Sequence, residues 1–409
     1  MSTTSKSHLE ALPIEVIHRI FDHLDAETIL FSIRCTNKQL YSMANTYNRY
    51  ELDFRYMFKS DLPVIARIIN PENIVSITLS DELHIKSQIE LFFSHFRIDQ
   101  FIRLHSLNLT EVEANDLIKF KNHIMKCSLR RFSISLDGPH NSKHMSLISS
   151  ILSHQDLHKF EFKGFSNTIS EIQWPTPCSL KHVTIYECHW KTLYPIITHL
   201  PYLQTLVIDY LRKYSFDETA VTDNSDTHLT TNLTSLLVNH CTDIKMNDVE
   251  ALLSRLPTLK HLRLLFPSCE PKSGLFDGSR WEEFIRSKLP LLNKFEFSFN
   301  VSKRFHPNDV TIESLIAPFR TPFWLESKNW CIKCDLEKEI CGEAFHLYST
   351  PLFQNYFSYP EYRNRIRQST LNIAENSATI IVNTRELSLE LNKMTLNESQ
   401  QKVSIILNF

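Results

Sequence analysis

The sequence predicts an α/β chain in which a small three-helix module precedes a curved solenoid with a parallel sheet on its concave face. Three observations predict it. Apolar residues recur in the spacing L-x-x-L-x-L nine times between residues 74 and 297, with starts 23 to 33 residues apart. Several of these units carry a helix-period pattern ahead of the next triplet. Near the N-terminus, apolar residues step by three and four through a short segment that a proline opens.

The repeated triplets are Ile74/Ile77/Leu79, Leu104/Leu107/Leu109, Leu129/Phe132/Ile134, Leu157/Phe160/Phe162, Leu180/Val183/Ile185, Leu203/Leu206/Ile208, Leu233/Leu236/Val238, Leu259/Leu262/Leu264 and Leu292/Phe295/Phe297. Their starts lie 27 residues apart on average. Cys188, Cys241 and Asn300 stand eight residues after a first apolar position. Leu193, Ile196, Ile197 and Leu200 run at helical spacing ahead of Pro201, and Val249, Leu252, Leu253 and Leu256 do so ahead of Pro257. Each proline closes a helix shortly before the next strand. The unit is strand, turn, helix, and stacking such units buries a continuous core. An ordinary sheet of alternating strands and helices would share the alternation but not so narrow a spacing. The pattern resembles leucine-rich repeats.

The N-terminal segment reads LEALPIEVIHRIFDHL from Leu9 to Leu24. Leu12, Val16, Ile17, Ile20, Phe21 and Leu24 give one apolar helical face. Pro13 suits the first helical position and Glu15 favours the positive helix start. A second apolar cluster follows at Ile29, Leu30, Phe31 and Ile33, and a third helix starts near Asn37 with Leu40, Met43 and Ala44. So small a piece completes its burial against a partner or a following domain. The segment resembles the F-box family, whose Leu-Pro-x-Glu opening is matched by Leu12, Pro13 and Glu15. Ile20 and Leu24 match the isoleucine and leucine that follow. Thr36 and Leu40 stand where the family presents a valine and a bulky residue. The resemblance implies docking on the Skp adaptor, and through it a cullin, by Leu12, Pro13, Ile20, Leu24 and Leu40.

Four segments are expected: residues 8–53 as the F-box module, 54–73 as a connection, 74–300 as irregular repeats, and 301–409 as degenerate repeats or a C-terminal cap. Residues 213–232 and 267–280 read as surface loops between repeats. Leu387, Leu389 and Leu391 suggest one more strand near the end.

Composition narrows the function classes. The chain has 409 residues, 42% hydrophobic and 22% charged, with a formal net charge of -2. That balance argues against a general electrostatic grip on nucleic acid or an anionic membrane. No apolar run has the length of a signal peptide or membrane span. Nine scattered cysteines favour reduced thiols in a cytoplasmic or nuclear protein. Gly138, Gly164, Gly274, Gly278 and Gly342 are the five glycines, too dispersed for a phosphate-cradling loop or a nucleophile elbow.

Binding residues follow from strand alternation. The first, fourth and sixth positions of each triplet point inward, so the third, fifth and seventh line the concave face. They include Arg131, Lys159, His182, Tyr186, Val207, Leu237, His261 and Arg263, with Lys294, Glu296 and Ser298 closing the series. The surface mixes cations with apolar anchors and suits an acidic or phosphorylated protein target. Cys331, Cys334, Cys341 and His346 have the number of ligands for zinc. However, WCIKCDLE alternates as a strand, which sends Cys331 and Cys334 to opposite faces. No metal or other cofactor and no catalytic group is expected. The sequence thus reads as the substrate receptor of an SCF-type ubiquitin ligase, not an enzyme; the alternative is a repeat scaffold without ligase assembly.

Overall fold

The structure, a computed structural model, describes residues 12–408 apart from 56, 59, 82–87, 137–141, 177, 214–231, 271–272, 303–309, 340–341, 351–355, 360–364, 371–385 and 393–401. Most of the expected 213–232 loop, and Cys341, therefore lie outside the described residues. The chain divides into two compact units, Met1–Tyr186 with His199–Tyr202, and Glu187–Thr198 with Leu203–Phe409.

The first unit opens with α1 (Ile14–Phe21), a wide helical turn over Thr28–Ile33, α2 (Arg34–Thr36) and α3 (Lys38–Thr46). Pro13 sits one residue ahead of α1 as its N-cap, and its carbonyl accepts from the Val16 and Ile17 N–H groups. Asn37 caps α3 by accepting the Gln39 and Leu40 N–H groups, each at 2.9 Å, which satisfies two of the orphan donors at a helix start. Asp22, just past α1, accepts from the Tyr47 hydroxyl at 2.9 Å and from two nitrogens of Arg49 at 2.8 and 3.0 Å. These bonds tie the end of α1 to the end of α3, and Arg49 holds the Asp22 carboxyl below its usual range against the opposing effect of burial.

The three-helix segment runs directly into the sheet, because β1 (Tyr50–Asp53) pairs in parallel with β2 (Ile74–Ser80). Between them lies α4 (Leu62–Ile68). Strand and helix then alternate: α5 (Gln88–His95), β3 (Ser106–Thr110), α6 (Ala114–Ile124), β4 (Arg131–Ser135), α7 (Ser142–Leu152), β5 (Lys159–Lys163), α8 (Ser166–Ile169) and β6 (His182–His189). The strands β1 to β6 pair in sequence order, each parallel to the last. The unit boundary falls inside β6.

The second unit contains α9 (Trp190–His199) but for its last residue, then β7 (Thr205–Arg212), β8 (Ser235–Thr242), α10 (Met246–Leu253), β9 (His261–Phe266), α11 (Gly278–Lys288) and β10 (Lys294–Ser302). Strands β7 to β10 are parallel and paired in sequence order. After α12 (Ile312–Ile316) the pattern changes. β11 (Cys331–Glu339) and β12 (Gly342–Thr350) form an antiparallel hairpin, and β12 lies antiparallel to β10. β13 (Tyr356–Tyr359) is followed by β14 (Arg365–Ser369), which pairs antiparallel with β11. The strand read from Leu387 to Leu391 is present as β15 (Glu386–Asn392), paired with β13 and β16 (Lys402–Asn408) in a separate sheet. Phe319, Phe323 and Trp324 of the PFRTPFW segment are buried. Trp324 lies near Phe295, and Phe319 near Phe297, so this segment packs beneath the last triplet.

The repeat architecture is visible in the core of each unit. None of the residues in the nine triplets is more than 5% exposed. Both units are thus leucine-rich-repeat-like arrays of parallel strands with intervening helices or loops. Cys188 and Cys241 are buried at the ends of their strands. Among the described residues, no helix is long and apolar enough to cross a membrane.

Candidate adaptor and target surfaces

The helical stripe of the N-terminal segment divides in the structure. Ile17 and Phe21 turn inward, whereas Ile14, Val16, Ile20 and Leu24 are 36–40% exposed. Pro13, Val16, Ile20 and Leu24 follow steps of three and four, so they form one outward row beside the buried one. Phe31 and Tyr41 are also exposed, and the Arg34 guanidinium lies 4.5 Å from the centre of the Tyr41 ring. A contiguous apolar face on so small a domain points to a protein partner.

The five residues expected to meet the adaptor fall in different places. Pro13, Ile20 and Leu24 lie on the outward row, and Leu12 is half-buried. Leu40 is 4% exposed, packed inside the segment with Met43 and Ala44. Thr36 is exposed, with its hydroxyl donating to the Ser32 carbonyl at 3.0 Å. Sequence reasoning did not assign Val16, Phe31 and Tyr41 to the outward face. Periodicity found Val16 but could not tell which edge of the stripe the core covers.

The F-box domain family matches residues 9–52. The segment is an F-box domain. Among solved structures, an internalin (inlF) from Listeria monocytogenes is similar at 13% identity, covering 69% of this chain and 90% of that one with a TM-score of 0.32. Among curated proteins, none matches this chain. The repeat architecture therefore rests on the chain's own strand order and buried triplets, and the F-box on its matched residues.

The eight residues expected to face a target separate into neighbouring sets. In the first unit, Arg131 lies opposite Lys159 and Lys159 opposite His182, all three exposed. Tyr186 is also exposed, toward the end of β6. In the second unit, Val207, Leu237 and Arg263 lie side by side across β7, β8 and β9, all half-buried. His261 sits two residues before Arg263, between Ser235 and Lys294.

The positions that close the series differ from expectation. Glu296 and Ser298 were expected on the open face, and both are buried. β12 pairs with β10 from Ser298 onward, which the sequence pattern of β10 cannot reveal. The Phe297 N–H donates to Ser349 Oγ at 3.0 Å, and Ser298 Oγ bonds His346 Nε2 at 2.7 Å. Glu296 gathers the neighbouring basic side chains: Arg263 Nε at 2.5 Å, Lys294 Nζ at 2.5 Å and His261 Nε2 at 3.4 Å. Burial alone would raise the Glu296 carboxyl, but its bonds to His261 and Lys294 and the Arg263 charge outweigh burial and bring it to about 2. Three basic residues of this face are therefore tied to an internal carboxylate.

The stretch holding Cys331 and Cys334 is a strand, as its alternation implied. Cys331 and Cys334 lie on β11, paired with Thr350 and Leu347 of β12. Asp335, opposite His346, is fully buried and bonds the Tyr348 hydroxyl at 3.0 Å and Arg367 Nε at 2.8 Å. Among the described residues, no group of three or more His, Cys, Asp or Glu side chains is placed to hold a metal ion.

Proposed function

We propose that the chain is the substrate-recognition subunit of an SCF-type ubiquitin ligase. The observation that carries this reading is the F-box match over residues 9–52, joined to an exposed apolar row through Pro13, Ile20 and Leu24. An F-box implies binding to the Skp adaptor, and the adaptor would link the chain to a cullin. The repeats would hold a protein target on the open face of their strands, through Arg131, Lys159, His182 and Tyr186 in the first unit and through Val207, Leu237, His261 and Arg263 in the second. No bond is made or broken by this chain. It raises the local concentration of target lysines beside a charged conjugating enzyme, so its contribution is proximity.

Burial of Leu40 favours a second reading, a repeat scaffold that does not assemble a ligase, because it removes one expected contact. Co-purification with the Skp adaptor decides between them. Wild type should retain the adaptor, and Ile20→Asp should lose it while the repeats stay folded by circular dichroism. Absence of the adaptor from wild type, under conditions where other F-box proteins bind, would leave the scaffold reading. Proximity labelling by wild type and by Ile20→Asp would then separate adaptor-linked neighbours from target proteins.

A further inference from the structure

In four successive repeats of the first unit, the two residues between the first and second apolar positions are His105-Ser106, Arg130-Arg131, His158-Lys159 and Lys181-His182. Seven of these eight are basic, against three of eight in the last four repeats. The equivalent pairs of the second unit are Gln204-Thr205, Thr234-Ser235, Lys260-His261 and Asn293-Lys294.

The strand register stacks the pairs into a lane. Ser106 lies opposite Arg131, Arg131 opposite Lys159, and Lys159 opposite His182. The residues before them are aligned by backbone bonds. The Arg130 and Arg131 N–H groups donate to the His105 carbonyl, those of His158 and Lys159 to the Arg130 carbonyl, and those of Lys181 and His182 to the His158 carbonyl. Neighbouring strands are about 4.8 Å apart, so the lane crosses β3 to β6 over roughly 14 Å.

The charges in this lane act on one another. His105 is held below the usual imidazole range by burial and then by Arg130, Arg103 and Arg131. His182 is held low by burial and then by Lys159, Lys181 and His158. Among the described residues, no carboxylate forms an ion pair with Arg130, Arg131, Lys159 or Lys181. Glu161 on β5 pairs with Lys163 instead, at 3.5 Å. The second unit is the internal contrast, since its Arg263 and Lys294 already share Glu296. A row of like charges on a fixed backbone, with no internal counter-charge, is preorganised for an anionic ligand.

We infer that this lane grips a short run of aspartate and glutamate residues in an extended segment of the target, laid across β3 to β6. The inference rests on the reading that the repeats hold a protein target, and it names the part of the target they hold. An extended chain rises about 3.4 Å per residue, so roughly four or five residues span the lane. Salt weakens the grip, because the lane is exposed.

The test is fluorescence anisotropy with the full chain, using a labelled hexa-aspartate peptide, its hexa-asparagine counterpart and oligothymidylate of matched charge. Wild type should bind hexa-aspartate in preference to both others, and more weakly as salt is added. Arg131→Glu with Lys159→Glu should weaken binding about tenfold or more, because two charge-assisted contacts become repulsive. Arg131→Lys with Lys159→Arg should retain it. The inference is overturned if both peptides bind alike, if oligothymidylate binds as tightly, or if the charge-reversed variant keeps wild-type affinity. Adaptor capture by the charge-reversed variant separates the two claims. If capture persists and proximity labelling still finds target proteins, only the acidic lane fails. If labelling finds none with either form of the lane, the target-holding reading fails with it.

Discussion

Replacing Glu296 with glutamine removes the carboxylate that Arg263, Lys294 and His261 share while keeping the side chain's shape. Glu296 is 4% exposed, so Arg263 and Lys294 lose a counter-charge in a site that water hardly enters. Its folded-state pKa of about 2 lies below the ordinary value of 4.5. A depressed carboxyl contributes its full stabilisation above the unfolded value and loses it as pH falls through the folded one. The stabilisation is therefore complete above about pH 4.5 and fades toward pH 2. The shift corresponds to about 3 kcal/mol, the lower end of the ~3–5 kcal/mol cost of removing one partner of a buried pair. Urea unfolding of wild type and Glu296→Gln should show the variant weaker by about 3 kcal/mol near neutral pH. The difference should fall to about half near pH 3, as linkage requires. A difference of the same size at both pH values would refute this reasoning, because it would show loss of packing rather than of charge.

Three further outcomes follow. Phe160→Ala should cost about 3–5 kcal/mol in the same assay, since the ring is fully buried against Phe132, Phe162 and Trp174. Asn37→Ala should cost about 1 kcal/mol by removing the α3 cap, read as a lower thermal midpoint. With a thiol reagent at neutral pH, Cys35 should react in the native protein, whereas Cys188 and Cys334, whose thiols burial pushes up to about 12, should react only after unfolding.

The repeats were legible because their signal is local and redundant. Each triplet fixes which side of one strand is buried, and every member of all nine is buried. Asn37 was legible as a helix start for the same reason, since its cap bonds reach only two and three residues along the chain. What the sequence hid was set by distant neighbours. Glu296 and Ser298 obey the alternation of an open strand face, yet both are buried, Glu296 among His261, Arg263 and Lys294 and Ser298 beside β12, which joins the sheet some fifty residues later. Helical steps identified the apolar residues of α1 but not the division between the Ile17/Phe21 row and the Val16/Ile20/Leu24 row, because that depends on how α3 packs. The inward position of Leu40 was hidden on the same ground: its spacing allowed either side, and packing turned it inward. The basic pairs from His105 to His182 could be read in the sequence, but their lack of an internal counter-charge required the ion pairs of the folded chain.

Adaptor binding through the outward row of the F-box is measured by titrating the full-length chain with purified Skp adaptor. Wild type should form a saturable complex, and Ile20→Asp should abolish it with the repeat core intact. Leu40→Met, which changes only the interior, should leave adaptor binding in place. A wild-type chain that is folded and does not bind the adaptor, or an Ile20→Asp variant that binds as wild type does, would contradict the account.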